Sequence, residues 1–220
     1  MNIPSKIPAM TLKGIVLFPN AIMPLRIFEN RYKLMLADVL KSDRMFAIAA
    51  ERDRQESDDS LAEPPFEVAT AGLVRVSKTN SDGTSLVMLQ GLSRLRIESI
   101  DSEDPYRVLN VHPFETLVDK NKPILRSEII DALSQNCKLG GEVTQDILDY
   151  VKELKDDATF IDVVAYTLCQ QTIRKQAMLE VQRLHKRAEM LLHDILQENL
   201  QLSIQVGDSD NSKSYDAERN

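Results

Sequence analysis

The chain has 220 residues, of which 43% are hydrophobic and 28% charged, so it predicts one or two globular domains and excludes a fibrous or wholly disordered protein. A formal net charge of −7 disfavours a surface that neutralises many phosphates, which places nucleic acid low among the expected partners. Only two cysteines occur, and no signal peptide or membrane-length apolar stretch is recognisable, so we expect a cytoplasmic protein without a membrane anchor.

Short apolar segments separated by turn residues fill the first half of the chain and predict β-strands. The seven predicted strands cover residues 10–18, 21–28, 45–51, 66–78, 84–90, 93–100 and 106–114. A hairpin turn is predicted at residues 80–84, where Gly83 can adopt a positive φ. One helix, over residues 29–42, interrupts the series. Together these elements predict a β-barrel or a β-sandwich.

An acidic segment follows the third predicted strand. Residues 51–63 contain six acidic residues and two arginines. A charge run of this kind is typical of a solvated loop, and binding of a partner is the alternative interpretation.

The second half of the chain changes to helical periodicity. Helices are predicted over residues 124–137, 143–155, 158–170 and 172–205. Gly140 and Gly141 are expected to end the first of these, and Asp156 and Asp157 to cap the third. We therefore expect a barrel domain at residues 1–118, a helical bundle at 119–206 and a disordered acidic tail at 207–220.

The last predicted helix carries an apolar seam with alternating steps of four and three residues. The seam consists of Ala177, Val181, Leu184, Ala188, Leu191 and Ile195. Packing along the helix's own bundle is the preferred interpretation. A coiled coil that joins two copies into a homodimer is the alternative.

The spacing of glycine, histidine and cysteine excludes several enzyme motifs. The seven glycines cannot form a Walker A loop, a dinucleotide-binding turn or a G-x-S-x-G nucleophile elbow. His185, Glu189 and His193 share one helix face, but the outer pair would lie about 12 Å apart along the helix, so a solvated face is favoured over a metal site. We therefore predict no catalytic residue, no metal and no cofactor.

Several motifs, in order along the chain, carry a family resemblance. They are V-L-F-P-N at 16–20, M-P-L-R-I-F-E-N-R-Y at 23–32, A-G-L-V-R-V at 71–76, D-G-T at 82–84, Q-G-L-S-R-L-R-I at 90–97, D-V-V-A-Y-T-L at 162–168 and K-Q-A-M-L-E at 175–180. Residues 5–204 thereby resemble the amino-terminal, substrate-binding domain of Lon proteases. Asn20 departs from the family pattern, in which glycine is common at that position.

The resemblance implies an α+β fold, with a PUA-like pseudo-barrel followed by a helical bundle that ends in a long helix. It also implies a non-catalytic module that binds unfolded or damaged polypeptides or docks onto a separate protease or ATPase in protein quality control. Because the ATPase and serine–lysine peptidase modules of Lon have no counterpart in this sequence, we expect a stand-alone substrate-binding-domain protein.

The residues that we predict for binding lie mainly at the corner between a strand and the first helix. They are Arg26, Phe28, Glu29, Arg31 and Tyr32, followed by Arg75 and Arg94. For the motif residues at this corner, holding the barrel and the helix together is the preferred interpretation and binding is the alternative. Phe28 in particular is expected to anchor the helix.

Two other functions stay open. An RNA-binding module would use arginines in the strands, namely Arg75, Arg94, Arg96 and Arg107. A hydrolase or peptidase would need a site that sequence spacing does not reveal.

Overall fold

The structure, a computed structural model, describes residues 3–55 and 62–217. Residues 56–61, which form the centre of the acidic segment, lie outside this range, so the prediction of a solvated loop stays a prediction there. The chain divides into two compact units. Unit 1 comprises Met1–Thr116 and Gln170–Gln182, and unit 2 comprises Leu117–Cys169 and Arg183–Asn220. No helix within the described residues has both the length and the apolar character needed to cross a membrane.

The described residues of unit 1 form six strands and two helices. The strands are β1 (Lys6–Leu12), β2 (Ile22–Ile27), β3 (Met45–Ala50), β4 (Val68–Thr79), β5 (Ser85–Ser102) and β6 (Val108–Pro113). The helices are α1 (Asn30–Val39) and α5 (Thr172–Glu180).

The sheet of unit 1 closes on itself. Its order is β2-β5-β4-β3-β1-β6, and β6 pairs with β5 as well as with β1. Only β1 and β3 run parallel, while every other pairing between the named strands is antiparallel. The interior is filled by small and medium apolar side chains, namely Ile7, Ala9, Met45, Ala47, Ala71, Leu73, Leu95, Leu109 and Val111. Of the two predicted all-β arrangements, the barrel is therefore confirmed.

The strand predictions need two corrections. The segments 84–90 and 93–100 form one strand, β5, because the chain passes through Gly91 and Leu92 with a local shift of register and no turn. The first strand ends at Leu12 and starts at Lys6, earlier than the predicted 10–18. Pro8 weakens the strand signal of this segment, but it lies opposite Val108 near the end of the ladder with β6, where one missing N–H is tolerated.

The motif at residues 16–20 contacts the motif at residues 90–97, where β5 passes Phe18. A Cβ atom on Gly91 would lie 2.0 Å from the carbonyl oxygen of Phe18, so only glycine fits there. The Asn20 amide donates to the Gly91 carbonyl oxygen at 2.9 Å. Asn20 has a φ of 64°, in the left-handed region that favours glycine and that asparagine tolerates. This backbone requirement explains both the common glycine of the family and its replacement by asparagine here.

The part of unit 2 that the structure describes forms four helices, α2 (Arg126–Lys138), α3 (Gln145–Glu153), α4 (Asp157–Leu168) and α6 (Leu184–Ala217). Gly140 follows the C-cap of α2 with a φ of 76°. The Asp156 carboxylate caps α4 by accepting a hydrogen bond from the Thr159 amide at 2.7 Å. The glycine stop and the aspartate cap that the sequence predicts are thus confirmed.

The prediction of a single long helix over residues 172–205 is wrong. It is two helices, with α5 in unit 1 and α6 in unit 2, separated by an extended Val181. Of the predicted seam, Leu184, Ala188, Leu191 and Ile195 are buried in α6, which packs against α2 and α4. That part of the seam therefore lies within its own bundle.

The disordered acidic tail predicted at residues 207–220 stays a prediction. The backbone of α6 continues to Ala217, and residues 218–220 lie outside the described range. Once a helix exists, each further residue adds a hydrogen bond without a new nucleation cost, so a polar continuation can follow a well-packed helix.

Candidate functional site

The corner between β2 and α1 is organised around Arg31. Its guanidinium donates two hydrogen bonds to the Glu63 carboxylate, at 3.0 and 2.7 Å, and one to Glu29 at 2.9 Å. It also lies over the ring of Tyr32, 4.4 Å from the ring centroid. The hydrogen bonds with Glu63 are the main reason why the pKa of Arg31 is raised. Arg31 is therefore paired with two carboxylates of its own chain.

A second arginine, Arg107, connects this network to β1 and to the segment that precedes β6. Arg107 donates to the Glu63 carbonyl oxygen at 2.6 Å, to the Thr11 hydroxyl, and to the Glu103 carboxylate at 2.8 Å. Tyr32 is buried beside it, and burial raises the pKa of the Tyr32 hydroxyl to about 12, so the hydroxyl stays protonated at neutral pH. The network holds both the carboxylate and the backbone of Glu63, at the end of the acidic segment.

Arg94 cannot be a surface contact. Its side chain is 2% exposed, and it donates hydrogen bonds to the carbonyl oxygens of Leu179 at 2.9 Å and Val181 at 2.8 Å, and to the Thr116 hydroxyl at 2.7 Å. The prediction of Arg94 as a binding residue is therefore wrong. Arg94 alternates with apolar residues along β5, a pattern typical of a strand face in water, but its guanidinium is bonded to Leu179 of α5.

Phe28 also differs from expectation. Its side chain is 62% exposed, so it does not anchor α1. The buried side chains of α1 are Tyr32, Met35, Leu36 and Val39, which are sufficient to seat the helix without Phe28.

The predicted binding residues thus fall into three places rather than one site. Glu29, Arg31 and Tyr32 belong to the internal network, and Arg94 lies in the interior. Arg26 and Arg75 lie on the outside of the sheet. Arg26 is 3.5 Å from Asp82, and Arg75 donates to the side-chain oxygen of Gln90 at 2.6 Å.

The arginines proposed for RNA binding do not form one exposed patch either. Arg94 and Arg107 are buried, and Arg96 pairs with Glu67 at 2.8 Å.

Sequence reasoning missed an exposed apolar surface on β2, β4 and β5. We call it the outer apolar face and define it by Ile22, Pro24, Val76, Leu86 and Met88, all of which are exposed. Their exposed fractions reach 56% at Val76, 49% at Leu86 and 45% at Ile22. Such large values are unusual for apolar side chains that lie side by side on a sheet.

The strand register places these side chains together. Pro24 lies opposite Met88, which lies opposite Val76, so one apolar row crosses three strands. Cβ atoms of residues directly opposite each other are about 5 Å apart, so the row is continuous. Leu86 lies two residues from Met88 on the same side of β5, while Val87 and Leu89 point inward and are buried.

Basic residues surround the outer apolar face. At one end of the face, Leu86 on β5 lies opposite Arg26 on β2 and opposite Lys78 on β4. At the other end of the face, Arg75 lies beside Gln90. The sequence did hold a signal for this surface. Residues 86–89 are four consecutive apolar residues, whereas a strand with a polar outer face would alternate.

His185, Glu189 and His193 on α6 differ in their surroundings and do not form a metal site. His185 is buried, His193 is exposed, and Glu189 accepts from Lys186 at 2.7 Å. Among the described side chains, those of residues 3–55 and 62–205, no three or more His, Cys, Asp or Glu residues are grouped so that they could hold a metal ion.

Comparison of the sequence with known protein families identifies the family of this chain. The sequence model of the ATP-dependent protease La (LON) substrate-binding domain matches residues 6–197. Lon protease of Buchnera aphidicola subsp. Schizaphis graminum is 23% identical over 189 residues, covering 85% of this chain and 24% of the relative. Lon protease 2 of Myxococcus xanthus is 25% identical over 202 residues, covering 87% of this chain and 23% of the relative. The chain therefore spans about a quarter of the length of these relatives.

Two solved structures share the fold. The Lon N-terminal domain protein from Xanthomonas campestris has a TM-score of 0.61 at 21% identity, and 86% of this chain aligns with 97% of that one. The N-terminal domain of the Mycobacterium avium complex Lon protease has a TM-score of 0.66 at 13% identity, with the same coverage. The predicted α+β fold, a β pseudo-barrel with a helical bundle, is confirmed. The family model matches most of the chain, and we conclude that the chain belongs to the Lon substrate-binding domain family.

Proposed function

We propose that this protein binds exposed apolar segments of unfolded or damaged polypeptides, and that the outer apolar face is the binding surface. The observation that carries the proposal is the row of Pro24, Met88 and Val76, extended by Leu86 and Ile22 on the outside of a rigid sheet. Family membership supports a substrate-binding role, because the matched model describes a substrate-binding domain and not a peptidase domain.

The physical basis is the removal of apolar surface from water. Covering a half-exposed leucine or methionine side chain contributes about 1 kcal/mol, at roughly 25 cal/mol per Å² of apolar area. The five side chains of the face contribute about 5 kcal/mol, and the ligand's own apolar side chains, buried against them, contribute a similar amount. After the entropic cost of association of at least about 4 kcal/mol, a net free energy of about −6 kcal/mol corresponds to a Kd of tens of micromolar. A surface of this kind selects apolar character and not a specific sequence, as a receptor for unfolded chains requires.

The chemistry of the described residues supports a binding role without catalysis. The arginines and carboxylates at the strand–helix corner are occupied by one another, and Arg94 is buried. As a cellular setting we propose the cytoplasm, because the two cysteines are free thiols.

Fluorescence anisotropy with a labelled, permanently denatured polypeptide tests the proposal. We expect saturable binding by the wild-type protein, with a Kd of tens of micromolar. The double substitution Leu86→Ser with Met88→Ser should weaken binding about 30-fold, since the two changes together remove about 2 kcal/mol of apolar burial.

The matched control is Leu34→Ser with Ile173→Ser, which changes two exposed apolar residues of unit 1 on helices α1 and α5. This control should bind like the wild-type protein, and circular dichroism should show both variants folded. Absence of saturable binding by the wild-type protein at tens of micromolar, or an equal loss in both variants, would contradict the proposal.

A further inference from the structure

The residues around the outer apolar face differ in charge from the chain as a whole. Two rows of side chains follow the strand register, namely Pro24 with Met88 and Val76, and Arg26 with Leu86 and Lys78. Beside them Ile22 lies opposite Gln90, whose side chain accepts a hydrogen bond from Arg75 at the register shift of β4. None of these nine residues is acidic, whereas the whole chain has a net charge of −7. The basic residues occupy three of the four corners.

The positive charge at these corners is poorly compensated. Lys78 has no ion pair with the side chains that the structure describes, those of residues 3–55 and 62–205. Arg75 is held by the neutral side chain of Gln90, which fixes the guanidinium at the edge of the face and leaves its charge in place. These two cations are therefore available to a ligand.

The third corner is only partly compensated. Arg26 faces Asp82 at 3.5 Å, and both side chains are more than half exposed. The Asp82 carboxylate is also engaged by Thr84, whose amide and hydroxyl donate to it at 2.9 and 2.7 Å. These hydrogen bonds are the main reason why the pKa of Asp82 is lowered. A long, exposed ion pair of this kind is weak, so a carboxylate on a ligand can compete for Arg26.

We propose that the outer apolar face prefers extended polypeptide segments in which an apolar stretch is flanked by acidic residues. This inference rests on the proposed function and adds the charge of the ligand to it. The apolar row seats the hydrophobic stretch, and the cations at opposite ends of the face, Arg75 at one and Arg26 and Lys78 at the other, pair with carboxylates on either side. A segment flanked by lysine or arginine meets like charge at both ends and is disfavoured.

Three labelled synthetic peptides of equal length test this preference by anisotropy with the full chain. Each has the same apolar core of four leucine and valine residues, and the flanks contain glutamate, serine or lysine. At low ionic strength we expect the glutamate-flanked peptide to bind about tenfold tighter than the lysine-flanked one, with the serine-flanked peptide between them. Raising the salt concentration should reduce the difference, because exposed charges are screened.

The triple variant Arg26→Gln, Arg75→Gln and Lys78→Gln should abolish the dependence on the flanks while binding of the serine-flanked peptide stays within about twofold. The matched control replaces three exposed lysines of unit 2, Lys120, Lys152 and Lys155, with glutamine. It changes the net charge by the same three units and should keep the wild-type preference.

The outcomes separate this inference from the proposed function. If all three peptides bind equally and saturably, the charge preference is wrong while the apolar site stands. If none binds, and the denatured polypeptide does not bind either, the proposed function itself is wrong. If a glutamate-rich peptide without the apolar core binds as tightly as the core-containing one, the face is a general polyanion site, and the preference for an apolar stretch is overturned.

Discussion

The guanidinium of Arg94 shows how one residue can end a helix that is remote in sequence. In an uninterrupted helix the carbonyl oxygens of Leu179 and Val181 would accept hydrogen bonds from the amides four residues later. Here both carbonyl oxygens accept from Arg94 instead. The charge of Arg94 is buried, but it is satisfied by three acceptors and lies over the ring of Phe114, 5.1 Å from its centroid.

We expect Arg94→Met to lower the free energy of unfolding by about 3 kcal/mol, because it leaves two buried carbonyl oxygens without donors. Arg94→Lys should not restore the loss, since an ammonium group cannot reproduce the planar fork of the guanidinium. Urea unfolding followed by circular dichroism measures both variants.

Arg96→Met is the control for this prediction. Arg96 lies two residues along the same strand, and its ion pair with Glu67 is exposed, so its loss should cost less than about 1 kcal/mol. An effect of Arg94→Met no larger than that of Arg96→Met would show that the buried hydrogen bonds of Arg94 do not support unit 1.

At the scale of elements, the sequence correctly predicts those strand and helix boundaries that depend on interactions between residues close together in the chain. Gly83 has a φ of 74° in the turn between β4 and β5, as the D-G-T motif predicts, and α4 begins at the aspartate cap. Boundaries set by distant residues were missed. The register shift at Gly91 depends on the backbone of Phe18, and the end of α5 depends on Arg94.

The cap of α4 leads to a prediction about pH. Hydrogen bonds from Thr159, above all from its backbone amide, hold the pKa of Asp156 below its ordinary value. Since the folded pKa is lower than the unfolded one, near 3.9, the stabilisation is fully present above about pH 4 and is lost as the pH falls through the folded pKa. We expect Asp156→Ala to cost about 1 kcal/mol at pH 7 and progressively less in acid.

Asp156→Asn separates the charge from the hydrogen bond in this test. Its amide oxygen can still cap α4 but does not titrate, so most of the stability at pH 7 should be retained. Urea unfolding of the three proteins at pH 7 and at about pH 3 gives the comparison. A constant difference between wild type and Asp156→Ala across this range would contradict a role for the Asp156 carboxylate in the cap.

The long helix α6 raises the question of self-association at the same scale. Its buried seam is used within unit 2, so that seam is not available to a second copy. A homodimer through α6 stays a prediction. It would have to use other positions, such as the exposed Leu196, Leu200 and Ile204, which recur every four residues.

At the scale of the whole molecule, the match covers a substrate-binding domain and about a quarter of the length of the Lon relatives. We expect the purified 220-residue chain to bind denatured casein but not to degrade it, with or without ATP. The physical reason is that its glycines cannot form the phosphate-binding loop of an ATPase, and that the described arginine and carboxylate clusters are engaged with one another.

Gel electrophoresis of casein digests, with a full-length Lon protease as the positive control, measures this directly. Degradation that persists after rigorous purification and is lost on a point substitution in this chain would reveal the unrecognised peptidase site that sequence spacing leaves open.

The sequence by itself determined the family, the β-then-helix order and the signals that lie within a few residues of one another. These include the turn at Gly83, the stop at Gly140 and the cap at Asp156, because each acts through a hydrogen bond or a backbone angle in its own neighbourhood. Only the tertiary structure decided which arginines are available. Arg94 and Arg75 lie in similar alternating strand motifs, yet the Arg94 guanidinium is buried and bonded to Leu179 of α5, while Arg75 is exposed. The outer apolar face likewise depends on the register of three strands, which brings together residues more than sixty positions apart in sequence, such as Pro24 and Met88.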